Sequence, residues 1–342
     1  MAGALSEKSF LTKFIEAGFT RIEILETSEN RRTRNPNAYA VTVAAQKGRA
    51  SLRAPLAQKA TPAALNRENA ATALKEFWVF PVAPETCNLA CTHCLYAASP
   101  KNRNPYRLSA SELASLLTAI EKIGAKPHFL FTGGEPTLHP QLYDFLETVD
   151  RGGYSSQLMT NGTRIKEENA QRLAKLGHLT KVQVSLESAD PATHDSIYGA
   201  GLYRRVLKAA DVLRANGVAV TFAVTPMEKN ENELQAVKAL AESKGAEVKY
   251  ISLYDLGAAR ENGLKPSRES VPANNDKLLE LMCDKGIAYS EGAFYACPVL
   301  VKEPRAKLGD TLEQALSPRA RDTVAALRKE HAACQVCLKG ST

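Results

Sequence analysis

Between residues 77 and 253 the sequence alternates between short strand-like runs and longer stretches with helical periodicity, and this alternation limits the fold more than any other feature. The runs FWVFPVA (77–83), PHFLF (127–131), YSSQLM (154–159), KVQVSL (181–186), VAVTFAV (218–224) and EVKYISL (247–253) are rich in β-branched and aromatic residues. Helices are predicted between them near 109–124, 140–151, 165–176, 202–215 and 231–243. In the first, Ser109 and Glu112 make a capping box, Leu113, Leu116, Leu117 and Ile120 share a face, and Gly124 ends the helix. Parallel strands need crossovers of this length, and such crossovers are right-handed. The order therefore predicts an α/β fold, either a doubly wound sheet or a partial barrel.

The placement of the unusual residues favours the barrel, because each group falls just after a strand, where α/β barrels build their sites. CNLACTHC, with Cys87, Cys91 and Cys94, follows the first strand. Thr132, Gly133, Gly134, Glu135 and Pro136 follow the second, Asn161 and Gly162 the third, and Ser185 and Glu187 close the fourth. Each group alone is an ordinary turn or strand end. Their shared position beside three cysteines makes them candidates for one site.

Three thiols where most metal sites use four suit a 4Fe–4S cluster with one open iron, able to hold a reactive ligand. Zinc is the competing reading, but structural zinc prefers four protein ligands, and His93 is too close to Cys94 to complete a tetrahedron. All seven cysteines lie in a chain whose start, MAGALSEKSF, has Glu7 and Lys8 where a signal peptide would be apolar. No apolar run of 18 or more residues occurs. A soluble cytoplasmic protein without a membrane partner is predicted, its thiols free for metal binding or catalysis. The net charge of +7, from 44 basic and 37 acidic residues spread along the chain, is weak support for nucleic acid as a partner.

These motifs resemble those of the radical S-adenosylmethionine (SAM) superfamily. CNLACTHC matches its C-x3-C-x2-C loop and GGEP its methionine-binding motif, over a span of roughly Phe77 to Gly263. The resemblance implies a partial (β/α)6 barrel whose unique iron chelates the amino and carboxylate groups of SAM. One electron then cleaves SAM to methionine and a 5′-deoxyadenosyl radical, which abstracts hydrogen from a substrate. It also implies a reducing partner such as flavodoxin or ferredoxin. His93 would lie near the adenine, and Asn161 and Ser185 near the SAM carboxylate or ribose. Gly133 and Gly134 would let backbone approach the ligand, Glu135 would help orient the backbone that meets the SAM amino group, and Pro136 belongs to the same motif; Glu187 stands where relatives often have Asp. Thr225 and Pro226, after the fifth strand, are compatible with an adenine-side wall.

The remaining cysteines, Cys283, Cys297, Cys334 and Cys337, could simply be buried thiols. Their pattern, with Gly292 and Cys297 as G-x4-C and a final C-x2-C, resembles the twitch domain, a shortened SPASM domain. That resemblance implies an auxiliary 4Fe–4S cluster ligated by all four. The predicted division is an N-terminal appendage (1–76), a radical SAM barrel (77–265) and a twitch-like cluster domain (266–342). Three plus four cysteines leave no spare thiol to return a hydrogen atom, so net oxidation is favoured over epimerisation. The substrate would be a peptide precursor or a polar small molecule, undergoing dehydrogenation or cross-linking. An epimerase, or an iron–sulfur or zinc protein without catalysis, remains the alternative.

The appendage is predicted to hold a helix at 6–18, strands near 20–26 and 38–45, and a connector from Pro55 to Pro62. This order does not match leader-peptide recognition domains fused to peptide-modifying relatives. Arg31, Arg32 and Arg34 read as a solvated hairpin tip, with an acidic leader or substrate as the sharper alternative. Tyr96, Tyr254, Asp255 and Arg260 are candidate substrate contacts that are equally at home as loop residues.

Overall fold

The computed structural model describes residues 19–29, 39–47, 74–102, 104–268 and 282–340. The predicted helix at 6–18, the Pro55–Pro62 connector and the three arginines lie outside them. The chain divides into two compact units, Met1–Ala63 and Ala64–Thr342. In the first, strands β1 (Phe19–Glu29) and β2 (Tyr39–Lys47) pair antiparallel, where two strands were expected.

The second unit is organised by a nine-stranded sheet. Its parallel part runs in chain order: β3 (Glu76–Val79), β4 (His128–Phe131), β5 (Ser156–Thr160), β6 (Leu179–Ser185), β7 (Val220–Val224) and β8 (Glu247–Tyr250). Helices α1 (Ala110–Lys122), α2 (Leu142–Arg151), α3 (Glu167–Ala174), α4 (Pro191–Tyr198), α5 (Leu202–Ala215) and α6 (Leu234–Ser243) fill the crossovers. Because strand side chains alternate between faces, each strand serves two environments. Phe77, Val79, Phe129, Phe131, Val182, Val184, Phe222 and Val224 pack with helix residues such as Leu113, Ile120, Leu146 and Val206 in the main core. Trp78, Gln183, Ser185, Ala223 and Lys249 face a cavity on the other side. Helices on one face and a cavity on the other are consistent with the partial barrel of radical SAM proteins.

The C-terminal part extends the same sheet. Strand β9 (Gly286–Ser290) runs parallel to β3, and β10 (Ala293–Tyr295) and β11 (Lys307–Gly309) follow antiparallel. The sequence reading did not predict these short strands, having treated GIAYSEGAFYAC as cluster-binding sequence. Glu291 and Gly292, at φ of 50° and 76°, form the two-residue turn between β9 and β10. Such a turn needs positive φ at both positions, so Gly292 has a backbone role. Helices α7 (Gly257–Glu261), α8 (Met282–Lys285), α9 (Leu312–Ala315), α10 (Pro318–Glu330) and α11 (Ala332–Gly340) complete the unit. Among the described residues no helix is long and apolar enough to cross a membrane.

The capping box forms as expected: Glu112 N–H donates to Ser109 Oγ at 3.1 Å, and Ser109 N–H to Glu112 Oε2 at 2.9 Å. Ser109→Ala should therefore lower stability by about 1 kcal/mol, measured as a shift in the denaturant midpoint at constant slope.

Candidate cluster and cofactor site

The cysteine loop leaves β3 and is held in place by four hydrogen bonds to its backbone from three directions. Glu135 N–H donates to Thr86 O (3.0 Å), Thr92 N–H to Ile197 O (3.0 Å), Ala258 N–H to Cys94 O (2.9 Å) and the Asn262 amide to Thr92 O (2.9 Å). Two of these approaches demand glycine. A Cβ on Gly134 would lie 2.0 Å from Thr86 O, and one on Gly257, whose φ is +49°, 2.5 Å from Leu95 O. The expected reason for Gly134 was backbone access to a ligand. The geometry supplies another: only glycine lets the GGEP turn touch the residue before Cys87.

The three loop cysteines line a cavity of about 380 Å³, a size suited to a cofactor with its substrate. His93, Gly133, Gly134, Asn161, Ser185 and Glu187 line it too, so six of the eight predicted cofactor residues share one space. Glu135 and Pro136 are absent from the wall. Pro136 opens a 3-10 helix (Pro136–Leu138), and Glu135, with no exposed surface, turns into the protein. Its carboxylate accepts from Thr137 N–H (3.0 Å), Thr137 Oγ1 (2.5 Å), Thr160 Oγ1 (2.7 Å) and Asn161 N–H (2.8 Å). Burial pushes the Glu135 carboxyl up from the usual range, and these donors pull it part of the way back. The Asn161 amide in turn points at Asn88 Oδ1 (3.0 Å) and Cys87 Sγ (3.8 Å).

Glu187 is placed similarly. Its carboxylate accepts from Thr225 N–H at 2.7 Å and lies 3.3 Å from His93 Nε2. His93 Nδ1 is buried without a hydrogen-bond partner, an orphaned polar atom in a cavity-lining residue that leaves a site for a ligand. Tyr96, Thr225 and Tyr254 also line the cavity. Asp255 and Arg260 do not; they are exposed and pair with each other at 3.5 Å. Thr132, named with the GGEP turn, lines it as well, whereas Gln183, Ala223 and Lys249 were not predicted as lining residues. A usable signal existed: Gln183, Ala223 and Lys249 stand two residues before Ser185, Thr225 and Ile251, and strand alternation returns them to the same face.

Burial pushes the Cys87 thiol up to about 12, with Glu135 and Cys94 adding to it, and raises Cys91 as well. Thiols in such a setting become thiolates when a cation compensates them. The four C-terminal cysteines come together around a small apolar pocket of about 30 Å³. Cys334 and Cys337 lie one turn apart on α11, Cys283 on α8, and Cys297 two residues after β10. Burial pushes Cys297 up to about 12 and raises Cys283, which Arg328 opposes. Tyr254, Met282, Val299 and Cys337 line both this pocket and the large cavity. Among the described residues no three His, Cys, Asp or Glu side chains converge closely enough to hold a single metal ion. A cubane is bound through separate irons, so two sets of cysteines spread around a space fit its donor pattern.

The parallel α/β sheet with this cavity at its C-terminal rim defines the class, and comparison shows which proteins the chain is similar to. Residues 83–241 match the radical SAM superfamily model. It is 31% identical over 172 residues to the mycofactocin maturase MftC of Mycobacterium ulcerans, covering 50% of this chain and 46% of that protein. Identity is 28% over 169 residues to the AdoMet-dependent heme synthase of Nitratidesulfovibrio vulgaris (49% and 45% covered). To the PqqA peptide cyclase of Streptomyces rochei it is 30% over 191 residues (54% and 52% covered). The chain thus spans about half the length of these relatives. The fold matches that of Streptococcus suis SuiB bound to its precursor peptide SuiA, with a TM-score of 0.57, 13% identity, and 78% and 70% of the two chains covered.

Two outcomes test the site. Glu135→Gln places an NH2 group against donors and should cost about 1–3 kcal/mol in denaturant unfolding. Gly134→Ala should displace Thr86 and with it the cysteine loop, lowering the iron retained per chain after anaerobic reconstitution.

Proposed function

We propose that the chain is a radical SAM oxidoreductase that removes hydrogen from a peptide precursor and completes a net oxidation, a dehydrogenation or a cross-link. The observation that carries this reading is the wall shared by the large cavity and the four-cysteine pocket. When bound, the barrel cluster would supply the electron that cleaves SAM to methionine and the 5′-deoxyadenosyl radical. Cys87, Cys91 and Cys94 would hold that cluster, with the Gly133–Gly134 turn, Asn161, Ser185, Glu187 and His93 around SAM. Glu135 acts one step back, fixing the backbone of Thr137 and Asn161. The apolar wall of Trp78, Leu89 and Met159 would keep water from the radical.

Hydrogen transfer from a substrate held in this cavity would give 5′-deoxyadenosine and a substrate radical. Loss of one further electron, with a proton where a double bond forms, completes the oxidation. The electron would cross the Tyr254–Cys337 wall to an auxiliary 4Fe–4S cluster on Cys283, Cys297, Cys334 and Cys337. This reading keeps the (β/α)6 barrel at 77–265, the twitch-like domain at 266–342 and the N-terminal appendage, with flavodoxin or ferredoxin as the external reductant in the cytoplasm. PqqA peptide cyclase and the SuiB complex support a peptide substrate. The heme synthase relative supports a second reading, a polar small molecule in the same cavity. Epimerisation is disfavoured because both cysteine sets are occupied as ligands.

Anaerobic reconstitution should give about eight irons per chain, and stoichiometric zinc without iron would reject the proposal. Replacing Cys87, Cys91 and Cys94 by Ala should abolish 5′-deoxyadenosine formation. Replacing Cys334 and Cys337 by Ala should leave a soluble protein with about four irons that still forms 5′-deoxyadenosine but little oxidised product. Wild-type product formation by that variant would make the second cluster structural.

A further inference from the structure

The four-cysteine pocket is apolar apart from one cation. Arg328, on α10, reaches into its wall and donates two hydrogen bonds to a single sulfur, from Nε to Cys283 Sγ at 3.1 Å and from Nη2 at 3.0 Å. The same Nη2 is bonded by the carboxylate of Asp284, the residue next to Cys283. The Gln335 amide donates to Arg328 O at 2.7 Å, which ties α10 to the helix carrying Cys334 and Cys337. The guanidinium is held by Cys283 and Asp284 while its helix is tied to α11, and its planar fork meets one sulfur with two N–H groups, a geometry specific to arginine. The side chain is about a third exposed, 30%, so its charge is only partly screened.

We infer that Arg328 sets the reduction potential of the auxiliary cluster: its fixed charge and two hydrogen bonds on the Cys283 sulfur hold that cluster at higher potential, poised to accept the electron released when the substrate radical closes. This rests on the reading of Cys283, Cys297, Cys334 and Cys337 as ligands of one cluster. The step is a one-electron transfer in which the substrate radical is oxidised and the cluster reduced. Hydrogen bonds to ligand sulfur and local charge are among the main determinants of cluster potential. A cation favours the state carrying the additional electron. The carboxylate of Asp284 offsets part of this charge but accepts from the same guanidinium, so it also keeps the fork aimed at the sulfur. Arg328 is thus a positioning and tuning residue; it touches a ligand of the acceptor and no reacting atom.

The test is a redox titration of the full, anaerobically reconstituted chain, followed by electron paramagnetic resonance. The two clusters are assigned by which signal disappears in the Cys87→Ala/Cys91→Ala/Cys94→Ala variant. Arg328→Gln should lower the midpoint of the auxiliary cluster by a tenfold change in the one-electron equilibrium, about 59 mV, and leave the barrel cluster unmoved. Arg328→Lys, which keeps the charge but loses the fork, should give a smaller drop. An Arg328→Gln protein with its full iron content and a wild-type midpoint overturns the inference. If that variant cannot hold its iron, Arg328→Lys decides by the same criterion: a lowered midpoint supports the inference and an unchanged one overturns it. A wild-type chain with about four irons and one redox centre rejects the auxiliary cluster itself and ends the inference with it.

Discussion

A carboxylate without access to water holds the cofactor end of this fold together. Glu135 leaves the rim of β4 and ties its own turn to the end of β5 through Thr160 and Asn161. The Asn161 amide passes the constraint to Asn88 and Cys87, and Asn88 Nδ2 closes the circuit on Thr163 Oγ1 at 2.8 Å. A buried charge is costly in solvation, and an apolar group of the same size would often be the more stable choice. What the carboxylate adds is direction: four donors around two oxygens admit a narrow set of backbone positions, and the cysteine loop inherits them.

Two strands further along, the device is repeated. Glu187, just beyond β6, accepts from Thr225 N–H at the end of β7 and meets His93 of the cysteine loop. Asn230 locks this second brace, donating to the carbonyls of Glu187 (2.7 Å) and Thr225 (3.1 Å). Each glutamate thus joins the end of its own strand to the next strand and to the loop that crosses the rim. The wall of the cavity is carried by these crosslinks as much as by sheet hydrogen bonds, which end where the strands do.

The parallel β/α order, the capping box and the grouping of six predicted site residues around one cavity were legible in the sequence because each depends on local pattern: strand alternation, helical period and the position of a residue after a strand. Glu135 and Gly134 were picked out for the right region, but their contacts with Thr160 and Thr86 were not foreseen. Their partners, Thr86 and Thr160, lie some distance away in sequence and carry no mark of their own. Arg328 was invisible for the same reason, since nothing near it announces that it will meet Cys283 across 45 positions. The strands β9 to β11 are only three to five residues long and are added to the sheet in succession from β3, so no local run identified them. Asp255 and Arg260, which looked like substrate contacts, satisfy one another at the surface.

That pairing of β3 with β9 bears on how the molecule is made. Glu76 lies beside Gly286 in the sheet, so one edge of the strand leading into the cysteine loop waits for a partner more than two hundred residues away. While the chain is being synthesised, the other five parallel strands can assemble in order, each against its predecessor, but this edge stays open until the late segment emerges. Contacts of such separation are slow to form, and an unpaired strand edge is a template for association with other chains. Nascent protein is therefore most vulnerable on the side next to the cysteine loop, and the late hairpin acts as the cover that ends that exposure.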